Sequence, residues 1–396
     1  MLFDIIIANF GFWVNLSIPI IIALYLVLTN REYIWKEFAI QTAATLAYVS
    51  IIFFAAFSFS TEIWDTNYYN GKIKSSTYYE EWTELVHYTE TYSCGTSKHP
   101  KTCTRQKTRR DYHSPYYQII TNLGETISIR RGDYLKTARE FGSKKVYLHR
   151  SGQVSFGDGN KFVSYPNKDI STAVGHSYEN IVAAAKGNVI HLKVPKEDIK
   201  QLVKIGKLRE YPSLYKGAYG ETKLNRIIDT TGRVNSNELL KELNKLSIKV
   251  GRSKQANPII YIVDANKFDR SFRDALSQYW NMGKKNDVTL VLGIDDKNII
   301  QWSDVICFTN NTDFIVDMQS DFTGKKIDKN IMLDLVKLIT TEYVRKPMAE
   351  FAYLKENITL GWVWQLLILL GNVIISGFIT YKFLNNWDRK RWNKTK

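Results

Sequence analysis

The chain has three long, apolar segments without charged residues in their interiors. These are residues 10–28 (FGFWVNLSIPIIIALYLVL), 38–58 and 357–383. Each is long enough, as a helix with a rise of 1.5 Å per residue, to cross a hydrocarbon layer about 30 Å thick. We therefore predict an integral membrane protein with three transmembrane helices, two near the N-terminus and one near the C-terminus.

Basic residues beside the segments predict their orientation, because Lys and Arg next to a span are retained on the cytoplasmic side. The tail, residues 384–396, has five basic residues against the single acid Asp388, whereas residues 1–9 have none. We expect this basic tail and the short loop with Arg31 and Lys36 to be cytoplasmic. The large middle region is then periplasmic or extracellular, and the lipid bilayer is an expected partner. A cleaved signal peptide is the alternative for the first segment, but the positively charged start is missing.

The middle region has two parts with different patterns. In residues 62–170, Tyr, Thr, Trp and charged residues alternate, as in YYEEWTELVHYTETY, which favours strands. Helical patterns become frequent in residues 171–356, where Pro195 can start a helix and Asn235 and Glu238 have capping-box spacing. We expect a β-rich subdomain followed by an α/β subdomain, and an α+β fold class for the protein as a whole.

The clearest fold signal is a strand, helix and strand in succession. Residues 258–265 (PIIYIVDA) and 288–294 (VTLVLGI) are apolar throughout, and residues 268–282 between them have helical periodicity. Apolar strands separated by a helix are typical of a parallel βαβ unit that is buried on both faces. Residues 305–309 are expected to add a third strand.

Aspartates follow both strands of this predicted unit. In parallel sheets ligands bind outside the carboxyl ends of the strands, which places Asp264, Asn266, Asp295, Asp296 and residues 309–311 within reach of one another. Oxygen ligands suit calcium or magnesium, so the three aspartates are candidate metal ligands. Asp and Asn are also common in turns, where they satisfy free backbone groups. No catalytic motif occurs in the sequence, and the cofactor is left unknown.

A second candidate site combines basic and aromatic side chains, as polyanion-binding surfaces do. The formal net charge is +15, of which about +11 belongs to the middle region. The alternative is an ordinary exposed strand surface without a dedicated ligand, and nucleic acid is not an expected partner. The candidate binding residues are Arg105, Lys107, Arg109, Arg110, Tyr112 and Tyr116.

Two of the three cysteines are close in sequence. Cys94 and Cys103 have eight residues between them in the region expected outside the cytoplasm, and they can form a disulfide. Zinc is the alternative, since histidines are nearby, but the spacing is wider than in structural zinc sites. Cys307 lies in an apolar run and is expected to be a buried free thiol.

Residues 259–308, and above all WNMGKKNDVTLVLGIDD at 280–296, resemble the TPM domain family. In that family a strand and a helix lead to W-x-x-G-K, an apolar strand and an acidic turn; this chain lacks the family's glycine segment after the second strand. The resemblance implies a membrane-tethered domain outside the cytoplasm, with metal binding or phosphatase activity in some members and complex assembly in others. It directs attention to Asp264, Asp295 and Asp296.

Other segments resemble uncharacterised membrane proteins of tailed phages and their bacterial hosts. They are the Tyr-, Trp- and Cys-rich residues 64–152, the sequence KKNDV at 284–288 and the sequence RKPMAEFAYL at 345–354. This second resemblance implies no activity.

The leading hypothesis is a non-enzymatic, membrane-tethered domain outside the cytoplasm, possessing a binding or scaffolding role in the cell envelope. The expected partner is an envelope protein or a second copy of the chain. The alternatives are a metal-dependent hydrolase of the phosphatase type, using the acidic strand ends, and a polyanion-binding surface.

Overall fold

The computed structural model has a mixed α+β fold with three long apolar helices and several sheets. The residues before the first helix, Arg31 and the basic tail from residue 386 lie outside the described part, so the orientation argument stays a prediction. The structure describes residues 10–29, 35–60, 63–97, 99–148, 153–185, 194–358 and 360–385.

Ten α-helices and one 3-10 helix occur in the described residues. The α-helices are α1 (Phe10–Leu28), α2 (Trp35–Ser60), α3 (Arg131–Phe141), α4 (Ile181–Ala184), α5 (Lys196–Lys204), α6 (Ser236–Lys254), α7 (Phe272–Tyr279), α8 (Thr312–Ser320), α9 (Lys329–Glu342) and α10 (Trp362–Leu384). The 3-10 helix is Met348–Asn357.

The strands of the described residues form four sheets. They are β1 (Trp64–Tyr79), β2 (Trp82–Ser93), β3 (Thr102–His113), β4 (Tyr116–Thr121), β5 (Thr126–Ser128), β6 (Lys144–Val146), β7 (Gln153–Phe156), β8 (Lys161–Ser164), β9 (Ser171–Glu179), β10 (Leu214–Lys216), β11 (Thr222–Leu224), β12 (Ile227–Asp229), β13 (Asn257–Asp264), β14 (Asp287–Ile294) and β15 (Ile300–Cys307).

The chain divides into two compact units. The helical unit comprises Met1–Thr66, Ser177–Val194 and Lys346–Lys396, and the large unit comprises Asn67–His176 and Pro195–Arg345. The subdomain boundary that we place after residue 170 stays a prediction.

The helical unit contains the three apolar helices. Phe10–Leu28, Trp35–Phe59 and Trp362–Leu384 are each long and apolar enough to cross a membrane. Their positions agree with the three predicted spans. Leu360 and side chains such as Phe12, of α1, Phe53, of α2, and Ile368, of α10, form one apolar cluster between them.

A row of buried polar side chains, which we call the polar seam, runs between these helices. The Asn372 amide donates to the backbone oxygen of Asn15 at 2.9 Å, and the Ser376 hydroxyl donates to Asn372 Oδ1 at 3.3 Å. The Thr45 and Ser376 hydroxyls are 3.4 Å apart, and the Gln41 amide reaches the Ser376 carbonyl at 3.5 Å. Such interhelical hydrogen bonds hold apolar helices together where no water competes.

In the large unit, a six-stranded sheet has the order β5-β4-β1-β8-β6, with β9 also paired to β1. β4 and β5 form a hairpin and pair in antiparallel fashion. The helix that follows is α3, which ends at Phe141 just before Gly142, where φ is +75°. Buried Ile73, Ile119 and Ile170 form the small core of this sheet.

A second sheet of the large unit has the order β12-β13-β14-β15. β13 and β14 are buried along their whole length and pair in parallel, with α7 between them in sequence, as predicted. β15 pairs with β14 in antiparallel fashion, because residues 295–299 are too few for the crossover of a dozen or more residues that a parallel neighbour needs. Apolar side chains of α6, α8 and α9 belong to the same core.

Helix α6 packs closely on β1. It begins where the sequence predicts, since Asn235 Oδ1 accepts a hydrogen bond from the Glu238 N–H at 3.4 Å. Near its end, Gly251 faces the backbone oxygen of Asn70, and a Cβ at this glycine would collide with that oxygen. Glycine is therefore required at residue 251 by close approach.

A fully buried arginine lies beneath α6. The Arg226 guanidinium donates to the side-chain oxygens of Asn70 at 2.6 Å, Asn244 at 2.6 Å and Asn257 at 2.9 Å. Burial lowers the pKa of Arg226 to about 10. The Asn257 amide group in turn donates to Asp287 at 2.8 Å, so one asparagine separates a buried cation from a buried anion.

Candidate functional site

The acidic strand ends form an ion-pair cluster around one arginine. Arg233 Nη2 lies 2.7 Å from Asp296 Oδ1 and 3.2 Å from Asp264 Oδ2, and Lys267 Nζ lies 3.8 Å from Asp264 Oδ2. Two of the three candidate metal ligands are thus brought together, but their carboxylates face protein cations. The guanidinium provides the positive charge that a metal ion would otherwise supply.

The third candidate ligand, Asp295, is occupied within its own turn. Its carboxylate accepts hydrogen bonds from the backbone N–H groups of Lys297 at 2.8 Å and Ile299 at 2.9 Å and from the Gln301 amide at 2.9 Å. The bond from Ile299 is the main reason why its pKa is low. No group of three or more His, Cys, Asp or Glu residues in the described ranges could hold a metal ion. The metal site stays a prediction.

Residues 309–311 lie at the opposite edge of the sheet from the aspartates. The expectation that they reach Asp264 and Asp295 was wrong, because β15 runs antiparallel and its last residue, Cys307, pairs with Val288 at the start of β14. The Thr309 hydroxyl instead donates to the Val344 carbonyl.

A long two-stranded hairpin of the large unit has no buried residue in its strands. These strands, β2 and β3, form twelve residue pairs, from Trp82 with His113 to Ser93 with Thr102. We call β2, β3 and the turn between them the β-arm.

A disulfide between Cys94 and Cys103 closes the tip of the β-arm, as predicted, with the two Cα atoms 5.8 Å apart. Both thiols are therefore used in a covalent bond and not as zinc ligands. Cys307 is a free, partly buried thiol, and burial raises its pKa to about 12.

Three cations of the predicted basic patch form ion pairs along one face of the β-arm. Arg105 Nε lies 2.6 Å and Lys107 Nζ 2.7 Å from Glu90 Oε2, while Arg109 Nε lies 2.9 Å from Asp111 Oδ1. Hydrogen bonds from Lys107 and Arg105 hold the pKa of Glu90 below its usual value. These three cations share a face because side chains two residues apart in a strand point the same way.

The other three residues of the predicted patch lie elsewhere. Arg110 and Tyr112 point to the opposite face of the β-arm, where the Tyr112 hydroxyl donates to Glu81 at 2.5 Å. Tyr116 belongs to β4 and stacks on Tyr79 of β1, with ring centroids 4.2 Å apart. The six residues therefore do not form one surface, and a ligand role for them stays a prediction.

One edge of the β-arm has no strand beside it in the described part of the chain. The arm's sheet has the order β3-β2-β7, so β3 pairs with β2 alone. At the tip, the Cys94 N–H donates to the Lys101 carbonyl at 2.9 Å. Because antiparallel pairs alternate between bonded and non-bonded, every second residue of β3 directs its N–H and C=O away from β2. These outward residues are Thr102, Thr104, Gln106, Thr108, Arg110 and Tyr112.

A basic surface that the sequence reasoning missed lies on α6. Lys241, Lys245, Lys249 and Arg252 are exposed, and the structure shows no ion pair between them and any described residue. Their spacing of four, four and three residues places them on one face of a helix. We call these four residues the basic stripe. This helical spacing could have revealed the surface from the sequence. It is easily overlooked because acidic and apolar residues separate the cations along the chain.

A cleft of about 680 Å³ adjoins the first half of the basic stripe. Its walls are α6, the segment before β9 and the β10–β11 hairpin. Four lysines line it: Lys168, Lys223, Lys241 and Lys245. Lys168 forms an ion pair with Glu140, and Lys223 lies 2.9 Å from Glu221.

No protein-family model, curated protein or solved structure matches this chain. A function must therefore be argued from the chemistry of these surfaces. The free edge of the β-arm and the basic stripe are two exposed features in which several polar groups lack a partner among the described residues.

Proposed function

We propose that this chain is a membrane-anchored binding protein whose β-arm takes up an extended segment of another envelope protein. The observation that supports this role is the free edge of β3. Outward backbone groups recur at every second residue of a twelve-residue strand, and an added strand can satisfy them by main-chain hydrogen bonds. No residue in the two strands of the hairpin is buried, so the hairpin does not contribute to the hydrophobic core.

The proposed location is outside the cytoplasm. Disulfides persist in oxidising compartments, and the Cys94–Cys103 bond belongs to the region between the second and third apolar helices. With all three helices crossing the membrane, the basic tail lies in the cytoplasm and this region lies on the other side. The resemblances to the TPM domain and to phage membrane proteins fit this location and remain hypotheses.

The partner segment is expected to be acidic. Arg110 is one of the outward residues, and the structure shows no ion pair from its side chain to a described residue. β3 has four basic residues and one acidic residue, so a second copy of β3 would place like charges near each other, which is unfavourable. An acidic strand from a different protein is therefore a better partner for β3 than the β3 strand of a second copy of this chain.

A peptide-binding experiment tests this role. The full chain in lipid nanodiscs is titrated with a short peptide of alternating Glu and Val, and with the corresponding Lys and Val peptide. We expect the acidic peptide to bind and the basic one to bind at least about tenfold more weakly.

The decisive variant is Thr104→Pro with Thr108→Pro. Proline removes an outward N–H and leaves the bonds between β2 and β3 intact, so we expect loss of peptide binding. The matched control, Thr104→Val with Thr108→Val, keeps both N–H groups and should bind normally. Equal binding by both variants would show that the edge is not the site.

Orientation is tested separately by thiol labelling in intact cells. After reduction, a membrane-impermeant maleimide added outside should modify Cys94 and Cys103 in a Cys307→Ser background. Modification only after the cytoplasmic face is opened would overturn the proposed location.

A further inference from the structure

We infer that the basic stripe of α6 and the adjoining cleft bind a linear, phosphate-bearing polyanion. This site does not depend on the β-arm, and it goes beyond the proposed function. The stripe consists of four exposed cations on one helical face, and the cleft continues the surface at Lys241 and Lys245.

The geometry of the stripe suits a chain with regularly repeated charges. With a rise of 1.5 Å per residue, successive cations are about 6 Å, 6 Å and 4.5 Å apart along the helix axis. This row is nearly straight, since steps of three and four residues follow the helix face. A phosphodiester chain lying along α6 can therefore present one anionic group to each cation in turn.

The local charge balance leaves these cations available. The nearby acid Glu238 is engaged by Lys329 at 2.5 Å, and Asp169 is engaged by Lys72 at 2.8 Å. Glu242 is the acidic group of the cleft for which the described residues provide no ion pair. One such carboxylate does not balance the four cations of the stripe.

The cleft favours a polymer over a flat lipid surface. It is concave, with Tyr215 and Tyr219 opposite α6, and Tyr215 is 41% exposed. A single chain can enter such a space, whereas a bilayer surface reaches only the outer cations. Ion pairing at Lys168 and Lys223 fixes the wall opposite the stripe.

The test measures binding of inorganic polyphosphate to the full chain in nanodiscs of zwitterionic lipid, at several salt concentrations. The variant Lys241→Gln, Lys245→Gln, Lys249→Gln removes three charges from the stripe. We expect it to weaken binding by about 30- to 100-fold and to reduce the slope of log affinity against log salt by about 2 to 3.

The matched control is Arg105→Gln, Lys107→Gln, Arg109→Gln, which removes the same net charge from the β-arm. We expect a change below about threefold, because long-range attraction is screened by salt. Equal losses of polyphosphate affinity in the two variants would mean that binding depends only on net charge, and would overturn the proposed site.

A second arm of the experiment separates the two phosphate sources. Vesicles containing anionic lipid replace polyphosphate, with the same two variants. If the stripe variant loses vesicle binding but keeps polyphosphate binding, the surface is a lipid-contact surface and the polymer site is wrong. The Thr104→Pro, Thr108→Pro variant should bind polyphosphate normally, which keeps failure of this inference distinct from failure of the β-arm proposal.

Discussion

The β-arm and helix α6 both carry basic clusters, but three of the four cations of β3 are ion-paired, whereas the four cations of the basic stripe have no such partner among the described residues. On the arm, Arg105 and Lys107 share Glu90, and Arg109 pairs with Asp111. On α6, the cations of the basic stripe are exposed without such partners. The density of basic residues in the sequence is higher on the arm, so the denser cluster is the one that is mostly ion-paired.

Secondary structure explains this difference. In an antiparallel hairpin, every residue has a partner directly opposite on the next strand, and Glu90 lies opposite Arg105. On a helix surface, neighbours are three and four residues away. The positions four residues from Lys245 are the cations Lys241 and Lys249, and those three residues away are Glu242 and Ile248, so one carboxylate neighbours several cations. The environment of a cation, rather than its sequence neighbours, decides whether it is available to a ligand.

The largest expected effect concerns a third environment, the buried cation Arg226. Arg226→Met leaves three asparagine oxygens buried without a donor, and we expect the free energy of unfolding to fall by about 3 to 5 kcal/mol. Arg252→Met, at an exposed cation, should change it by less than about 0.5 kcal/mol. Pulse proteolysis of the full chain in detergent across a urea series measures both. Similar values for the two variants would refute the importance of burial.

A buried anion should make stability depend on pH. Burial raises the pKa of Asp287 to about 6 from 3.8, against hydrogen bonds from Lys284, Asn257 and Tyr211 that lower it. Because the folded pKa is the higher one, this contribution is fully present below about pH 4 and is lost as pH rises through about 6. We expect a decline of about 3 kcal/mol across that window.

The same urea series at about pH 4, 5, 6 and 7 checks this decline. Asp287→Asn cannot titrate, so its stability should lack this component of the pH dependence. An unchanged profile in the variant would assign the decline to other groups.

The smallest expected effect comes from removing the two carboxylates that pair with cations on the β-arm. Glu90→Gln with Asp111→Asn should release the three arm cations while leaving stability within about 1 kcal/mol, since exposed ion pairs contribute little. These two changes are added to the variant Lys241→Gln, Lys245→Gln, Lys249→Gln. We expect the polyphosphate affinity of that variant to rise about 3- to 10-fold when they are added. No gain would mean that pairing does not explain the weak binding expected of the arm.

Local patterns in the sequence predicted much of the fold. The three apolar helices, the capped start of α6, the disulfide and the parallel pair β13–β14 all follow from short-range signals. The direction of β15 was the error at the candidate metal site. The sequence pattern placed this strand at residues 305–309, whereas it begins at Ile300. The connection is therefore only residues 295–299, and so short a connection requires an antiparallel neighbour.

Long-range contacts could not be predicted in this way. Nothing near Arg226 in sequence indicates that Asn70, 156 residues away, accepts its hydrogen bond. Likewise, Arg233 is 31 residues from Asp264, and the pairing depends on how β12 and β13 lie side by side. The sequence shows which side chains can form hydrogen bonds or ion pairs, but the tertiary fold determines which residues are their partners.

The polar seam has a consequence for the order in which the protein is made. Asn15 and Asn372 are 357 residues apart, and Gln41 and Ser376 are 335 residues apart. At about 5 to 20 residues per second, a ribosome needs roughly 20 to 70 seconds to pass from the first helix to the last. Throughout that interval α1 and α2 lack their hydrogen-bond partners on α10. A chain whose synthesis stops before α10 therefore differs from a full-length one, because its first two helices keep these polar groups without their partners on α10.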